Sequence, residues 1–288
     1  MMIKVATRKS SLAEKQADII IEMISDKLNL ECEKRLYTTK GDRILDVSLD
    51  KIGGKGLFIK EIEIALLKKE ADIAVHSLKD VPTELDDNFE IAAVPIRDDA
   101  RDAFVSMNGL TFFEQRRGAR IGTSSIRRAK QLLALRGDIE IVPIRGNVNT
   151  RIEKIERENL DGVVLAAAGL KRLGIDAIVT EYFDIEKIIP ACGQGALCIE
   201  TLKNNEFYDM MKVLNKEDIR MCVEAERNIM KLLNGGCHSL VAAYAKIEGD
   251  YIYIIGVNEK GGKIIKKDIE GKKENFLELS RQLAKKLC

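Results

Sequence analysis

The chain has 288 residues, 45% of them hydrophobic, and its 47 basic and 46 acidic side chains leave a formal charge of only +1. This length and hydrophobic content suffice for two or three domains with separate cores. The balanced charge, the absence of tryptophan and the aromatic content of 5% disfavour a nucleic-acid-binding protein.

Three further features narrow the class of protein. No run of 18 apolar residues is present and the N-terminal residues form a strand pattern rather than an export signal, so we expect a cytoplasmic protein. With only two histidines, His76 and His238, we expect no metal site. The absence of a C-x-x-C pair argues against a disulfide framework or a zinc ribbon for the six cysteines, Cys32, Cys192, Cys198, Cys222, Cys237 and Cys288.

The first predicted elements are a strand at residues 3–7 and a helix that follows a Ser-Ser turn. Ser11 and Glu14 have the spacing of a capping box, which predicts the start of this helix. The same order returns about 115 residues later, where residues 122–125 (Gly-Thr-Ser-Ser) lead into a helix from Ile126. Two copies of a strand-turn-helix unit at this spacing favour one copy in each of two domains.

Strands and helices alternate through the middle of the chain. We predict a helix at 58–69 with a strand at 71–77, and later a strand at 139–144, a helix at 147–158 and a strand at 162–168. Such alternation favours an α/β fold with mixed, mainly parallel sheets, in which ligands gather at the carboxyl ends of the strands. Two turns rich in arginine, at residues 122–128 and 144–147, lie at that edge.

Two breaks in the pattern of strands and helices predict three domains. A charged break at residues 97–102 is a crossing between two lobes, and the segment near 189–191 is the return. We therefore assign residues 1–96 and 190–213 to the first lobe and 97–189 to the second. Residues 214–288 form a small α+β domain with helices at 218–233 and 274–287 and a three-stranded sheet at 240–247, 251–258 and 263–269.

Six arginines fall at or just beyond the predicted strand ends: Arg8, Arg127, Arg128, Arg145, Arg151 and Arg172. Guanidinium groups beside helix N-termini bind carboxylates or phosphates through two parallel hydrogen bonds. For any one of them, a solvated charged face is the better explanation, because 32% of the residues are charged. The set at equivalent turns favours a cleft that binds a small polyanion.

Two other residues are open to a functional and a structural interpretation. Cys237 follows Gly235 and Gly236 at a helix end, so it is either an exposed attachment thiol or a buried cysteine after an ordinary helix cap. Asp80 comes after the strand at 71–77 and before Pro82, so it either faces a cationic centre or caps the turn.

Two glycine-rich runs do not match nucleotide-binding motifs. Residues 53–58 (Gly-Gly-Lys-Gly-Leu-Phe) lack the phosphate-loop spacing, and we interpret residues 43–58 as a mobile flap. Residues 193–195 (Gly-Gln-Gly) lack the third glycine of a dinucleotide fingerprint. We interpret them as a tight interdomain turn and reject NAD binding.

Together these motifs resemble the porphobilinogen deaminase (hydroxymethylbilane synthase) family over nearly the whole chain. The matching runs, in order, are Ala6-Thr7-Arg8-Lys9-Ser10, Gly41-Asp42, residues 53–58, 76–82 (His-Ser-Leu-Lys-Asp-Val-Pro), 122–128, 145–147, 168–172, 193–196, Glu226-Arg227 and 235–237. The chain departs from the family pattern after Cys237, where no proline follows, and at Lys40, where arginine is common.

The resemblance implies a fold and an activity. It implies two lobes similar to periplasmic binding proteins and a third domain whose Cys237 carries a dipyrromethane through a thioether. Four porphobilinogen molecules would be joined to this primer head to tail with loss of ammonia, and hydrolysis would release hydroxymethylbilane. The resemblance also implies a monomer without metal or nucleotide.

The resemblance further implies roles for individual residues. Asp80 would stabilise the cationic azafulvene formed when ammonia leaves and assist proton transfer. Binding of the cofactor is expected of Cys237, Lys79, Asp80, Thr123, Ser124, Ser125, Arg127, Arg128, Arg145 and Gly146. Binding of the substrate is expected of Arg8, Ser10, Phe58, Arg145, Arg151, Arg172 and Gln194. The alternative is a non-catalytic two-lobed cytosolic binder of a polycarboxylate, which leaves the third domain without a purpose.

Overall fold

The described part of the molecule contains three β-sheets, one in each of two lobes and one in a C-terminal unit. The computed structural model describes residues 2–43, 56–203, 205–236 and 239–288. Within this described part, no helix is both long and apolar enough to cross a membrane.

The sheet of the first lobe combines strands from two distant parts of the chain. Its strands are β1 (Met2–Arg8), β2 (Glu31–Tyr37), β3 (Ile73–Ser77), β4 (Phe89–Arg97) and β10 (Ala196–Leu202). They lie in the order β2-β1-β3-β10-β4. β1 is parallel to β2 and β3, whereas β10 is antiparallel to β3 and β4.

The sheet of the second lobe repeats this arrangement. Its strands are β5 (Asp102–Val105), β6 (Arg120–Gly122), β7 (Glu140–Val142), β8 (Gly162–Ala166) and β9 (Glu181–Tyr182), in the order β7-β6-β8-β5-β9. β6 is parallel to β7 and β8, and β5 is antiparallel to β8 and β9. The predicted mixed sheets are confirmed. Antiparallel pairing enters each sheet with the strand that arrives from the other lobe.

Helices cover the two sheets. Those that begin at residues 11, 60, 126 and 148 lie where the periodicity predicts, with ends that differ by up to a few residues, whereas those at 40–43, 167–172 and 206–212 were not predicted. They are α1 (Ser11–Leu28), α2 (Lys40–Arg43), α3 (Lys60–Leu67), α4 (Ile126–Leu135), α5 (Val148–Arg157), α6 (Ala167–Arg172) and α7 (Glu206–Lys212). Asn147 caps α5, with its side chain accepting from the backbone N–H of Thr150. Local capping chemistry thus sets the start of α5.

The N-cap of α1 is Ser10, so the capping box predicted for Ser11 is wrong by one residue. Ser10 has extended backbone, and its Oγ accepts from the backbone N–H of Ala13 at 3.3 Å. The next residue back, Lys9, still donates to the Tyr37 carbonyl beside it in the sheet. The chain therefore leaves the strand one residue earlier than the box requires. At the second copy of the unit, Ser125 caps α4 in the same way.

The C-terminal unit is the predicted α+β domain. It consists of α8 (Glu217–Leu232), β11 (Val241–Glu248), β12 (Tyr251–Lys260), β13 (Lys263–Lys272) and α9 (Phe276–Leu287). The strands form an antiparallel sheet in chain order. Both helices pack on one face of it, where Ala225 and Ile229 of α8 and Leu283 of α9 share a core with Ile252 and Ile254. This amphipathic packing is what the sequence periodicity predicts.

Two segments connect the lobes, between β4 and β5 and between β9 and β10. In the second, Gly193 and Gly195 have φ of 74° and 86°, the left-handed region that glycine enters at little cost. A Cβ on Gly195 would overlap the carbonyl oxygen of Asp98 in the first segment. The two connections therefore lie in direct backbone contact, which leaves no room for a side chain at Gly195. The domain boundaries themselves stay a prediction.

Glu226 of α8 joins the C-terminal unit to β4 and to the second connection between the lobes. Its side chain is fully buried, and Oε1 accepts from Arg97 Nη1 at 2.7 Å and from the backbone N–H of Ala245 at 2.8 Å. Oε2 accepts from the backbone N–H of Gly193 at 2.7 Å. A buried carboxylate is stable only when its oxygens are paired in this way. The C-terminal unit is consequently anchored at the connection between the lobes.

Candidate active site

The turn that carries Asp80 projects from the carboxyl end of β3. A 3₁₀ turn spans Leu78–Asp80 directly after the strand. Leu78 is fully buried and holds the turn against the core, whereas Lys79 and Asp80 are exposed. Asp80 lies within electrostatic range of Arg151, which belongs to the second lobe. The turn therefore faces the second lobe across the cleft.

The two arginine-rich turns of the second lobe lie side by side, because β6 and β7 end together. Ser124 Oγ donates to the carbonyl of Ile144 at 2.7 Å, and the backbone N–H of Thr123 donates to Val142. Thr123 is buried and Ser124 is exposed. The parallel register thus brings residues 122–128 and 144–147 to one edge of the sheet, as predicted.

Arg127 and Arg128 share one buried carboxylate, Asp102. Arg127 Nη1 lies 2.7 Å from Asp102 Oδ2, and Arg128 Nη2 lies 2.8 Å from Oδ1. Burial opposes ionisation of Asp102, but the two guanidinium groups outweigh it and hold the pKa of this carboxyl well below its ordinary value. Two cations against one anion leave this buried group with a net positive charge.

Lys79 and Arg151 add to this positive charge. Although the Lys79 side chain touches solvent, desolvation by the surrounding protein lowers its pKa to about 8. Asp80 opposes this shift, and Arg128 adds to it. Burial lowers the pKa of Arg151 to about 10, helped by Arg128 and Arg145. Burial is the largest cause of both shifts, and repulsion from the neighbouring arginines of the cleft adds to it. A bound anion would relieve this repulsion.

Arg145 and Gly146 lie in the second arginine-rich turn. Arg151 Nε donates to the carbonyl of Gly146 at 2.8 Å, which joins the first turn of α5 to this loop. Arg145 lies within electrostatic range of Arg151. The structure thus brings together the predicted cofactor residues of the second lobe and faces them with Lys79 and Asp80.

Arg8, Ser10 and Phe58 lie together in the first lobe. The guanidinium carbon of Arg8 lies 4.3 Å from the centre of the Phe58 ring, and Arg8 also forms an ion pair with Asp42. Asp42 accepts from Thr39 as well, through its backbone N–H and its hydroxyl. The Asp42 carboxylate therefore holds Arg8 in place, a role that was not predicted from the sequence.

Arg172 and Gln194 lie at the connection between the lobes. Arg172 Nε donates to Asp98 at 2.9 Å, and only 4% of its side chain is exposed. Gln194 is buried and donates to the carbonyl of Ala100 at 2.7 Å and to Asp102 at 2.9 Å. Its Oε1 accepts from Lys79 at 3.3 Å. As substrate contacts they stay predictions.

The acidic partners of the arginines were not predicted from the sequence. Asp102 stands in the charged break at residues 97–102, where it was assigned only to a crossing. A pair of arginines that is to be buried requires a carboxylate nearby, so a partner of this kind was to be expected. The sequence does not say which of 46 acidic residues it is.

The proposed attachment cysteine lies outside the described residues, as do His238 and residues 44–55 of the predicted flap. The residues before Cys237 are described. α8 ends at Leu232, Asn234 has a φ of 50°, and the backbone N–H of Gly235 donates to Met230 at 2.8 Å. Gly236 is exposed, and a Cβ built on it would meet no described atom within 4 Å. A left-handed cap ends the helix as predicted, but Asn234 supplies it, and neither Gly235 nor Gly236 has a positive φ.

A buried acid-histidine cluster lies beneath the Asp80 turn. His76 Nε2 is 2.9 Å from Glu200 Oε2, and both side chains are almost fully buried. Burial raises the pKa of Glu63, on α3, to about 7, with Glu200 and Asp86 acting in the same direction and His76 opposing. Glu63 therefore exchanges its proton near neutral pH.

This shift predicts a pH dependence of stability. The ordinary pKa of Glu63 is near 4.5, so between about 4.5 and about 7 the folded protein binds the proton and the unfolded chain does not. The contribution of Glu63 to the free energy of unfolding thus falls as the pH rises through this window. Glu63→Gln is expected to flatten that fall and to be more stable than the parent at pH 8, as measured by urea unfolding at about pH 5 and pH 8.

The matched control for this experiment is Asp87→Asn, which removes an exposed carboxylate. It is expected to leave the pH profile of the parent unchanged. Parallel profiles for the parent and Glu63→Gln would show that Glu63 does not titrate as described.

No group of three or more His, Cys, Asp or Glu side chains is arranged to hold a metal ion within the described ranges.

Comparisons with known proteins cover almost the entire chain. A family model described as porphobilinogen deaminase, dipyromethane cofactor binding domain, matches residues 3–210, and one described as porphobilinogen deaminase, C-terminal domain, matches residues 220–288. A porphobilinogen deaminase of Clostridium perfringens is 57% identical over 287 residues, with 100% of this chain and 99% of the relative covered. One of Clostridium beijerinckii is 55% identical over 285 residues, with 99% and 98% covered.

Solved structures with a similar course of the chain are also found. The periplasmic VFT2 domain of Bordetella pertussis BvgS matches with a TM-score of 0.44 and 11% identity, over 74% of this chain and 86% of that chain. A periplasmic substrate-binding protein of an ABC transporter from Coxiella burnetii matches with a TM-score of 0.45 and 10% identity, over 74% and 91%.

Proposed function

The chain belongs to the porphobilinogen deaminase family, and we propose that it joins four porphobilinogen molecules head to tail, with loss of ammonia, and releases hydroxymethylbilane by hydrolysis. It is a transferase of tetrapyrrole and heme biosynthesis. The observation that carries this proposal is the family match over residues 3–210 and 220–288. Nothing in the matches favours a non-catalytic binder of polycarboxylates.

The cationic cleft fits the cofactor that the family model names. Each pyrrole unit of a dipyrromethane made from porphobilinogen carries an acetate and a propionate group. The surplus positive charge around Asp102 and the mutual repulsion of Arg128, Arg145 and Arg151 are both relieved by such carboxylates. We propose that the cofactor is held by Lys79, Thr123, Ser124, Ser125, Arg127, Arg128, Arg145 and Gly146. When bound, it supplies the primer to which pyrrole units are added.

We propose Cys237 as the covalent attachment point. The exposed Gly236 directly before it supports this assignment, because a thioether requires an approachable thiol. Two other cysteines are poor candidates, since burial raises the pKa of Cys192 and of Cys222 to about 12. Thiols with such pKa values stay protonated and are weak nucleophiles.

We propose Asp80 as the catalytic residue. Its exposed carboxylate on the turn after β3 faces a cleft that is otherwise positive. A positive charge develops on porphobilinogen as ammonia leaves, and a fixed carboxylate beside that carbon stabilises it. The same carboxylate accepts a proton from the reacting pyrrole carbon. Arg8, Ser10, Phe58, Arg145, Arg151, Arg172 and Gln194 are the proposed substrate contacts.

Three finer assignments belong to the proposal. The domains are residues 1–96 with 190–213, 97–189 and 214–288. The enzyme works as a monomer in the cytoplasm, which is the expectation from the family. It needs no nucleic acid, and its balanced charge of 47 basic and 46 acidic residues supports this.

The experiment that tests the function combines intact mass with turnover. Freshly purified protein is expected to weigh two pyrrole units more than its 32.2 kDa chain, to colour with Ehrlich's aldehyde reagent and to consume porphobilinogen with release of ammonia. A protein of bare mass that leaves porphobilinogen unchanged would refute the proposal.

A further inference from the structure

Arg227 of α8 forms two hydrogen bonds with the end of the turn that carries Asp80. Its Nη1 donates to the carbonyl of Val81 at 2.9 Å, and its Nη2 donates to the carbonyl of Pro82. These two carbonyls come directly after Asp80 in the chain. One planar guanidinium thus joins the C-terminal unit to two consecutive peptide groups of the first lobe, a geometry that lysine cannot reproduce.

The environment of Arg227 is unusual for a cation. Burial lowers its pKa, and the thiols of Cys198 and Cys192 and the carboxylate of Glu224 oppose this shift. Among the described residues no carboxylate forms an ion pair with it. A cation that is desolvated without an anionic partner costs free energy. The two carbonyl hydrogen bonds offset part of this cost.

The same helix leads to the cofactor loop. α8 ends at Leu232, five residues after Arg227, and Cys237 follows the two glycines beyond it. Glu226, next to Arg227, anchors this turn of the helix to Gly193 and Arg97. The Asp80 turn and the residues that lead to Cys237 are therefore linked through the C-terminal end of one helix.

We propose that Arg227 is a positioning residue that fixes the Asp80 turn relative to the loop that carries the cofactor. The proposal rests on the roles assigned to Asp80 and Cys237. Misplacement of a reacting group by about 1 Å can cost about 100-fold in rate, so a fixed distance between these two elements matters for every addition.

Arg220 offers a matched control on the same helix. Its Nη1 donates to the carbonyl of Ile91 at 2.9 Å, in β4, and its Nε donates to Glu224. It therefore also joins α8 to a carbonyl of the first lobe, seven residues before Arg227, but it does not touch the Asp80 turn. Loss of general anchoring affects both variants, whereas loss of positioning affects only Arg227.

The test compares Arg227→Gln with Arg220→Gln in steady-state turnover of porphobilinogen, well below the Tm of each, with cofactor content measured by intact mass. Arg227→Gln is expected to lower kcat about 10- to 100-fold with KM within about twofold of the parent and the cofactor mass retained. Arg220→Gln is expected to keep kcat within about twofold. Arg227→Lys, which keeps the charge, is expected to recover part of the loss.

Equal kcat values for the two glutamine variants would overturn the proposal, as would a loss of activity that only follows a loss of cofactor mass. If Arg227→Gln does not fold, Arg227→Lys decides, and an unchanged kcat in that variant overturns the proposal. A parent protein without cofactor mass or turnover would instead refute the proposed function itself.

Discussion

Cys237→Ser is expected to abolish turnover of porphobilinogen and to reduce the intact mass to that of the bare 32.2 kDa chain. A serine hydroxyl is a far weaker nucleophile than a thiol at neutral pH, so no thioether forms and no primer is retained. The cleft keeps its arginines, because Arg127 and Arg128 are paired with Asp102, and Arg172 is paired with Asp98. The expected loss is therefore of chemistry and not of folding. Intact-mass spectrometry and a turnover assay on the same sample measure both consequences.

Cys288→Ser is the matched control, because Cys288 is an exposed cysteine at the other end of the same domain. This variant is expected to keep both the extra mass and the activity. Retention of the pyrrole mass by Cys237→Ser, or its loss from Cys288→Ser, would move the attachment site away from Cys237.

Asp80→Asn is expected to keep the cofactor mass but to lower kcat about 100- to 1,000-fold. The substitution preserves the size of the side chain and removes its negative charge. Without that charge, the cation that develops on porphobilinogen faces Lys79 and the arginines of the second lobe, which destabilise it further. Single-turnover kinetics of porphobilinogen consumption, with the cofactor content checked by mass, measure the effect.

Asp87→Asn is again the control, because it removes an exposed carboxylate seven residues away, outside the turn. Near-normal kcat for Asp80→Asn would remove this residue from the chemistry. A variant that lost its cofactor mass would instead indicate that Asp80 acts in cofactor assembly.

Arg127 and Arg128 were predicted to bind an anion directly, but in the structure they also form hydrogen bonds within the protein. Arg127 and Arg128 are buried and paired with Asp102, and Arg128 also donates to the carbonyl of Val164. Much of their hydrogen-bonding capacity is therefore used within the protein. We therefore expect them to favour anion binding through the uncompensated charge of the group as well as through any direct contact.

Local elements were predictable because their causes lie within a few residues. The apolar periodicity of α8 and α9, the turns around β12 and the cap at Asn147 are all local signals, and the predicted ends of α8 differ from the observed ones by one residue. By contrast, β2 is a polar strand at the edge of its sheet, with no alternation to reveal it. The place of β10 between β3 and β4 depends on pairing with strands about 100 residues earlier in the chain.

The sequence by itself determined the family, the two-lobed α/β plan with its third domain, and the edge of each sheet where chemistry is expected. These follow from motif order, from periodicity and from the rule that the carboxyl ends of parallel strands meet. Only the tertiary structure decided which carboxylate neutralises which arginine, that Gln194 and Arg172 lie at the connection between the lobes, and that Arg227 reaches the Asp80 turn. A buried charge requires a partner, but any acidic residue or carbonyl satisfies that requirement, and the choice is made by packing between elements that are distant in sequence.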